Sequence, residues 1–303
     1  MGDEAKMIDE TKKAAEQMRR YIVEHLGDEA LSPARVCAAA GYSLRHGGRL
    51  FRHHTGRGIG EYIRLLRLSA AARTIAEGDD NVLDVALAHQ YDTHEGFTKA
   101  FTSAFGVSPA AHRRGSRPIP YFIPYPVSPR EALFKRKEKP MEPTTITATI
   151  APRPARKLMT LYSASGTDYW SFCQEQGCDW EGLLLSVKGR LDIPALITLP
   201  PNMVPAGKAI AAVAVELPAD YAGEVPKGYE LADMPAGEMI YFQSPPYEDE
   251  EAFAEAISAV FAAYESYDPA LFGYEFATDS LPVFNFGAFA SKGARIAVPV
   301  KKL

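Results

Sequence analysis

The chain has 303 residues, 47% of them hydrophobic and 23% charged, enough apolar material for buried cores and for about two domains at the usual ~100–200 residues each. This composition excludes a disordered chain, and no apolar run approaches the ~18 residues of a membrane-spanning helix. The net charge of −5 is unevenly placed: residues 35–73 hold eight arginines against the single acid Glu61, whereas residues 143–303 hold 11 Lys and Arg against 20 Asp and Glu, so the basic block suits an anionic partner.

The charged opening MGDEAKMIDETKKAAEQMRR is not a signal peptide. With only three cysteines, Cys37, Cys173 and Cys178, there is no disulfide framework. A cytoplasmic protein is expected. Residues 7–114 read as a run of helices. MIDETKKAAEQMRRYIVEHLG closes at Gly27, and LSPARVCAAAG opens with Ser32 as N-cap and Pro33 at N1. YSLRHGGRLFRHHTG follows, then the longer IGEYIRLLRLSAAARTIAEG, with Ile59, Ile63, Leu66, Ala70 and Ile75 broadly on one side. DNVLDVALAHQ starts at an aspartate cap, Asp80. The last helix lies within HQYDTHEGFTKAFTSAFGVSP: Phe97, Ala100, Phe101, Ala104 and Phe105 form an apolar face, and His94, Glu95, Thr98 and Lys99 a polar one.

These helices repeat. At an offset of 50, Arg49 matches Lys99, Phe51 matches Phe101 and Gly56 matches Gly106. An alanine-rich helix and a tight aromatic turn precede each copy, AAAGYS and ALAHQYDT, the second turn being one residue longer. Helix, tight turn, helix, twice over, is the layout of two helix-turn-helix units, whose second helix displays polar groups to base edges.

Residues 115–142 are proline-rich, with a basic run Lys135–Lys139, and read as an extended linker. Residues 143–303 change character. TTITATIA, GLLLSVKG, AIAAVAVELP, EMIYFQSPPY, PVFNFGA and ARIAVPVKKL read as strands, TDYWSFCQEQ and DEEAFAEAISAVFAAYES as helices. The expected fold is therefore an all-α double helix-turn-helix domain (1–114), a linker (115–142), and an α+β antiparallel-sheet domain (143–303) built from a β-α-β-β pseudo-repeat with both helices on one face.

On AAAGYS, RLFRHHTG, EYIRLLRLSAAARTI, VLDVAL and GFTKAFTSAFGVSP, residues 8–114 resemble the DNA-binding domain of the AraC/XylS transcription regulators. On ATIAPRPARKL, GTDYWSFCQEQGCDWEGLLLSVKG and VPVKKL, residues 143–303 resemble the GyrI-like effector-binding domain. The first resemblance implies that Arg45, Gly48 and Arg49 face DNA from one recognition helix, and His94, Glu95, Thr98 and Lys99 from the other. Residue chemistry agrees: Arg49 can bridge guanine O6 and N7, Glu95 can accept from cytosine N4, Thr98 can touch a thymine methyl and Lys99 supplies a point charge. Arg52 and Arg57 read as phosphate contacts, and Arg64 and Arg67 as solvated or ion-paired groups.

The family pattern has a bulky apolar residue where this chain has Gly47. The expectation is a gap in the first unit, which Gly47→Phe or Gly47→Leu would fill with a gain in stability. The second resemblance implies a small hydrophobic effector, often cationic in that family. The aromatics available to line such a groove are Tyr169, Trp170, Trp180, Tyr241, Phe242, Tyr247, Tyr274, Phe276, Phe284 and Phe286; Tyr169, Trp170, Trp180, Phe242, Tyr247, Tyr274 and Phe284 are the chosen contacts, with Glu275 setting charge preference. Asn285 stands near a place where relatives carry an acid. Double-stranded DNA, the effector and RNA polymerase are the expected partners, and an exposed sheet edge leaves a homodimer open. A GyrI-like hydrolase, with Glu275 and Tyr241 or Tyr247 as acid and hydroxyl, and a protein-contact module are the alternatives. Cys173 and Cys178 lack other soft ligands nearby, as do His46, His53 and His54, so neither a metal nor a cofactor is expected. No Ser-His-Asp set, phosphate loop or carboxylate pair marks a catalytic centre.

Overall fold

The computed structural model describes residues 2–78, 80–115, 117–124, 145–248, 252–289 and 291–303. The chain divides into two units, Met1–Pro129 and Arg130–Leu303.

The first unit is helical: α1 Gly2–Glu24, α2 Pro33–Ala39, α3 Leu44–Thr55, α4 Ile59–Glu77, α5 Val82–Ala88, α6 His94–Phe105 and α7 Pro109–Arg113. Ser32 caps α2 as expected, its Oγ accepting from the Arg35 N–H at 3.4 Å. The cap of α5 is Asn81 rather than the expected aspartate; its Oδ1 accepts from the N–H groups of Leu83 and Asp84 at 2.8 and 2.9 Å. Both residue types cap well, so sequence alone does not choose between neighbours. Helix α4 buries Ile59, Tyr62, Ile63, Leu66, Leu68, Ser69, Ala71, Ala72 and Ile75, far more than one stripe. Its N-terminal half packs in a core with Met18 and Ile22 of α1, Val36 and Cys37 of α2, and Leu50 and Phe51 of α3.

The expected linker begins later than its composition suggests. Residues 117–124 run as a strap over the helical unit. Ile119 and Tyr121 are buried; the Phe122 N–H donates to Ser69 Oγ of α4 at 2.7 Å. Arg19 of α1, 1% exposed, donates to the Pro124 carbonyl at 3.0 Å. Tyr121 OH lies 3.2 Å from His112 Nε2, itself 3.1 Å from the Ala72 carbonyl. The basic run Lys135–Lys139 lies outside the described residues.

The second unit contains β1 Thr147–Arg153, β2 Arg156–Tyr162, α8 Tyr169–Gln176, α9 Trp180–Leu185, β3 Ala195–Thr198, β4 Ala211–Pro218, β5 Glu230–Met234, β6 Gly237–Gln243, α10 Phe253–Ser266, β7 Tyr274–Phe276, β8 Val283–Phe289 and β9 Gly293–Lys302. One nine-stranded antiparallel sheet runs in the order β1-β6-β9-β8-β3-β4-β2-β5, with β7 added to β9. The segment GLLLSVKG, expected as a strand, is mostly helix α9. A short apolar run fits either period, and here Trp180, Leu184 and Val187 pack on Val213, Val215 and Leu217 of β4. The short strands β2, β3, β5 and β7 were not among the expected elements. The first half is therefore strand, strand, two short helices, strand, strand, and the second is strand, strand, helix and three strands, the short β7 being the extra one.

The extra strands are exchanged between the halves. Only Pro154 and Ala155 separate β1 from β2, yet they do not pair with each other. Instead β1 pairs with β6, setting Arg153 opposite Gly237, and β2 pairs with β5, setting Arg156 opposite Met234. Pro235 and Ala236 make the same tight link between β5 and β6. At these links the Arg156 guanidinium donates to the Pro154 and Pro235 carbonyls at 3.2 and 3.3 Å and pairs with Glu216 of β4, which also pairs with Arg153. Burial and the neighbouring Arg153 bring the Arg156 pKa down to about 10, so the guanidinium stays charged at neutral pH.

Side chains alternate between the sheet faces. One face packs under helices: Met159, Val213 and Val215 beneath α8 and α9, and Ile240, Phe242, Ile296 and Val298 beneath α10. The other carries Leu158, Tyr162, Ala212, Ala214, Met239, Tyr241, Phe284 and Phe286 in a cluster that holds no residue of α8, α9 or α10 and is met by Met203 of the short 3-10 turn Pro201–Met203.

Glu216→Gln leaves Arg153 and Arg156 without a counter-charge in a buried site, and such a loss costs about 3–5 kcal/mol. The expected outcome is a lower melting temperature for the sheet unit, followed by near-ultraviolet circular dichroism of the full chain.

Candidate nucleic-acid interface

Helices α3 and α6 are built alike. Ser43 Oγ caps α3 by accepting from the His46 N–H at 3.3 Å, and Thr93 Oγ1 caps α6 by accepting from the Gly96 N–H at 3.1 Å. Each ends at a left-handed glycine, Gly56 with φ 73° and Gly106 with φ 69°. The preceding turns place Gly41 (φ 77°) and Gln90 (φ 67°) at the matching left-handed position. Gln90 is the one non-glycine residue with positive φ among the described residues, a conformation that costs an ordinary side chain roughly 1–2 kcal/mol.

In α6, Phe97, Phe101 and Phe105 are buried and stack edge-on in sequence, ring centroids 5.5 and 4.8 Å apart. This ladder fixes the helix and turns its other side outward. His94, Glu95 and Lys99 are exposed. Thr98 is half-buried, and its Oγ1 is shielded from solvent without a hydrogen-bond partner among the described residues. Thr102 and Ser103 join these four in lining a shallow open depression. The sequence reading missed these two, although they continue the helical spacing from Glu95 through Thr98 and Lys99.

In α3, Arg45, Arg49 and Arg52 are exposed and Gly48 is half-buried. The eight arginines of residues 35–73 divide into two sets. Arg35 pairs with Asp28 at 2.8 Å. Arg57 pairs with Glu61 at 2.7 Å and lies over the Phe122 ring, rather than standing free for phosphate. Arg67 is neither solvated nor ion-paired as expected; it donates to the Leu26 and Asp28 carbonyls at 3.3 and 3.0 Å, tying α4 to the end of α1. Arg73 lies over the Tyr121 ring. Arg45, Arg49, Arg52 and Arg64 make no ion pair or hydrogen bond among the described residues, and the first three share α3. Two histidines of this unit are held neutral-prone: burial first, then nearby cations, lowers the pKa of His54, and burial then Arg67 that of His89.

The expected gap at Gly47 does not exist. A Cβ there would lie 2.7 Å from Cys37 Sγ, 3.1 Å from Cys37 Cβ and 3.2 Å from Met18 Cε. Helices α1 and α2 approach so closely that they fill the volume Phe97 fills in the second unit. Gly48 meets nothing within 4 Å. Gly47→Leu is therefore expected to lower the melting temperature of the helical unit through overpacking, which costs about 1–3 kcal/mol. Gly48→Ala should raise stability by up to about 1 kcal/mol, by removing a helix-interior glycine. Thermal melts of the two variants followed by far-ultraviolet circular dichroism check both signs.

The residues expected to hold an effector do not line one surface. Tyr169 and Trp180 pack under α8 and α9 with Phe172, and Trp170 stands edge-on to Tyr169. Phe242, Tyr247 and Tyr274 belong to the cluster beneath α10, where Tyr274 OH donates to Glu238 at 3.3 Å. Glu275, on β7, is exposed and paired with Lys301 at 3.1 Å. Phe284 alone of the eight lies on the helix-free face, stacked with Phe286 at 5.9 Å. Arg295 covers that ring at 4.0 Å and Tyr241 at 5.9 Å. Burial raises the Tyr241 hydroxyl.

A helix-turn-helix domain family matches residues 36–115, from α2 to just past α7. The probable transcription factor PqrA of Proteus vulgaris is 34% identical over 86 residues, 28% of this chain and 70% of that protein. The chain belongs to the AraC/XylS family of transcription regulators. Within that family, the transcriptional regulator Rob of Salmonella typhimurium is 43% identical over 96 residues, 32% of this chain and 33% of Rob. The chain thus spans about a third of the length of Rob. Beyond the AraC-type region, the structure of SAV2435 bound to tetraphenylphosphonium covers 51% of this chain and 94% of its own, with 12% identity and a TM-score of 0.33. Among the described residues, no helix is long and apolar enough to cross a membrane.

Proposed function

We propose that the chain is a sequence-specific DNA-binding transcription regulator whose sheet unit senses a small hydrophobic molecule. The observation that carries the first half is the pair of matched helices, each capped, seated by its apolar face and free on the other. On α6 the free face offers an acceptor, a hydroxyl, an imidazole and a cation, a mixed set suited to base edges in a major groove. On α3 it offers three guanidinium groups with no ion-pair or hydrogen-bond partner among the described residues. In this reading Arg45, Arg49, His94, Glu95, Thr98 and Lys99 read bases, Gly48 lets the helix backbone approach the groove, and Arg52 holds phosphate.

Arg49→Ala or Lys99→Ala should cost about 1–3 kcal/mol at the preferred site and relax selectivity at one base position. Arg52→Ala should weaken all sequences alike and reduce the salt slope by about 1. Binding titrations on a site and its single-base variants at several salt concentrations measure both. Identical selectivity profiles for Arg49→Ala and Arg52→Ala would sink the role assignment.

For the sensing half, support comes from the sheet's two faces. Helices α8, α9 and α10 cover one, while the other holds buried Tyr162, Phe284 and Phe286 and half-buried Tyr241, packed with Met203 and Val204; an apolar ligand would bind by entering among these rings with few polar contacts. Arg295, over Phe286, is paired with Asp192, and Glu275 with Lys301, so neither leaves an unpaired charge beside a ligand. Calorimetry of the full chain with a series of hydrophobic dyes tests this. Tyr241→Ala is expected to weaken binding and Tyr274→Ala to leave it unchanged; the reverse pattern moves the site to the α10 side.

A further inference from the structure

Alternation along the strands sends three arginines to the sheet face that α8, α9 and α10 leave uncovered. On β1, Arg153 shares the parity of Thr149 and Ala151, which stand opposite Tyr241 and Met239 of β6. On β2, Arg156 shares that of Leu158 and Tyr162, and on β9 Arg295 shares that of Ala297, which stands opposite Tyr241. Glu216 of β4 stands opposite Leu158 and joins them. Cations outnumber acids here. Arg295 pairs with Asp192, whereas Arg153 and Arg156 share the one carboxylate of Glu216. Little water reaches this trio: the side chains of Arg156, Glu216 and Arg153 are 1, 4 and 17% exposed. An ion withdrawn from water needs an opposite charge or hydrogen bonds in exchange. Arg156 finds two further acceptors, the Pro154 and Pro235 carbonyls at 3.2 and 3.3 Å. Arg153 is less well served: its Nε is shielded from solvent and has no hydrogen-bond partner among the described residues. Such an orphaned donor calls for an acceptor from outside the chain.

This side of the face is also the accessible one. Along the edge strand β1, Thr149 is exposed, and Ala151, Arg153 and the neighbouring Tyr241 are half-buried, while Phe284 and Phe286 are buried further in. The Arg295 guanidinium bridges the two zones, 5.9 Å from the Tyr241 ring centroid and 4.0 Å from that of Phe286. Burial raises the Tyr241 hydroxyl, and Arg153 foremost among the cations pulls it down.

We propose that this face takes a small apolar molecule carrying one anionic group, a carboxylate or a sulfonate, which pairs with Arg153 while the apolar body lies on the Tyr241 ring and reaches the phenylalanines. This rests on the same face being the sensing surface and adds the sign of the ligand's charge. A guanidinium fork meets two oxygens of such a group. Once bound, the anion sets three negative charges against three positive. A neutral molecule of the same shape leaves the surplus cation in place, and a cationic one enlarges it.

The test titrates the full chain by calorimetry with three naphthalenes of similar shape: naphthoate, naphthamide and naphthylmethylammonium. Naphthoate is expected to bind at least about tenfold more tightly than naphthamide, the difference one charge-assisted pair provides, with the ammonium weakest. Arg153→Gln should bring naphthoate down to the affinity of naphthamide and leave naphthamide itself unchanged. It should also melt no lower than the parent, because Arg156 and Glu216 then balance one to one, in contrast to Glu216→Gln. The proposal is overturned if naphthamide or the ammonium binds as well as naphthoate, or if naphthoate keeps its advantage in Arg153→Gln. It is overturned too if Arg153→Gln melts as low as Glu216→Gln, since Arg153 is then a strut of the fold and no surplus charge. Naphthamide binding without preference for the anion would sink this inference and leave the sensing surface standing; no binding by any of the three would remove both.

Discussion

Helix α4 serves two three-helix units at once: it buries nine residues, spread well beyond one stripe, and leaves only Gly60, Glu61, Arg64, Arg73 and Glu77 exposed, and both α3 and α6 pack against it. Ile59, Tyr62, Ile63 and Leu66 serve the first core; Leu68, Ala71, Ala72 and Ile75 are buried further along the same helix. Small residues in the second half let neighbouring backbones approach closely. Only after this shared helix is seated do capping residues and phenylalanine ladders decide which sides of α3 and α6 face outward.

In the sheet unit the comparable constraint is topological. Each half lends its first strand to the other through a two-residue proline-alanine link, across which the adjoining strands pair with other partners instead of closing a hairpin. Arg156 bonds to carbonyls at both links and to Glu216 between them. A buried ion pair is weak evidence for stability by itself. Here it also names the place where the two repeats meet, because no other register brings Pro154, Pro235 and Glu216 within reach of one guanidinium.

Local chemistry was readable in the sequence, and long-range packing was not. The Ser32-Pro33 helix start, the glycine stops at Gly56 and Gly106, and the phenylalanine face of α6 all follow from backbone rules acting within a few residues. So did the duplicated helix-turn-helix layout, the antiparallel sheet and the placing of helices on one face. Gly47 was misread because its meaning lies in α1 and α2: a missing side chain looks like a gap until Met18 and Cys37 are seen in its place. GLLLSVKG was misread because three leucines carry no period. Strands β2 and β5 escaped because segments that mix charged and apolar residues, RKLMTLY and ELADM, show no clean alternation and become strands only through their partners. Among site residues, the α6 face was legible by helical spacing. The aromatic set was not sorted, since aromatic content cannot say which face of a sheet a ring occupies: of the rings named, Tyr241, Phe284 and Phe286 lie together on one face and the others elsewhere.

The strap over the helical unit changes what counts as the DNA-reading module. By sequence likeness the module ends near residue 115, and a fragment cut there would appear complete. Yet the chain beyond supplies the ring that meets Tyr62 edge-on, the N–H that satisfies Ser69 and the carbonyl that receives Arg19. A fragment ending at Arg114 would expose a serine hydroxyl, a guanidinium and several apolar side chains at once, an invitation to aggregate rather than a minimal reader. Grafting this helical unit onto another domain should therefore place the junction after Pro124.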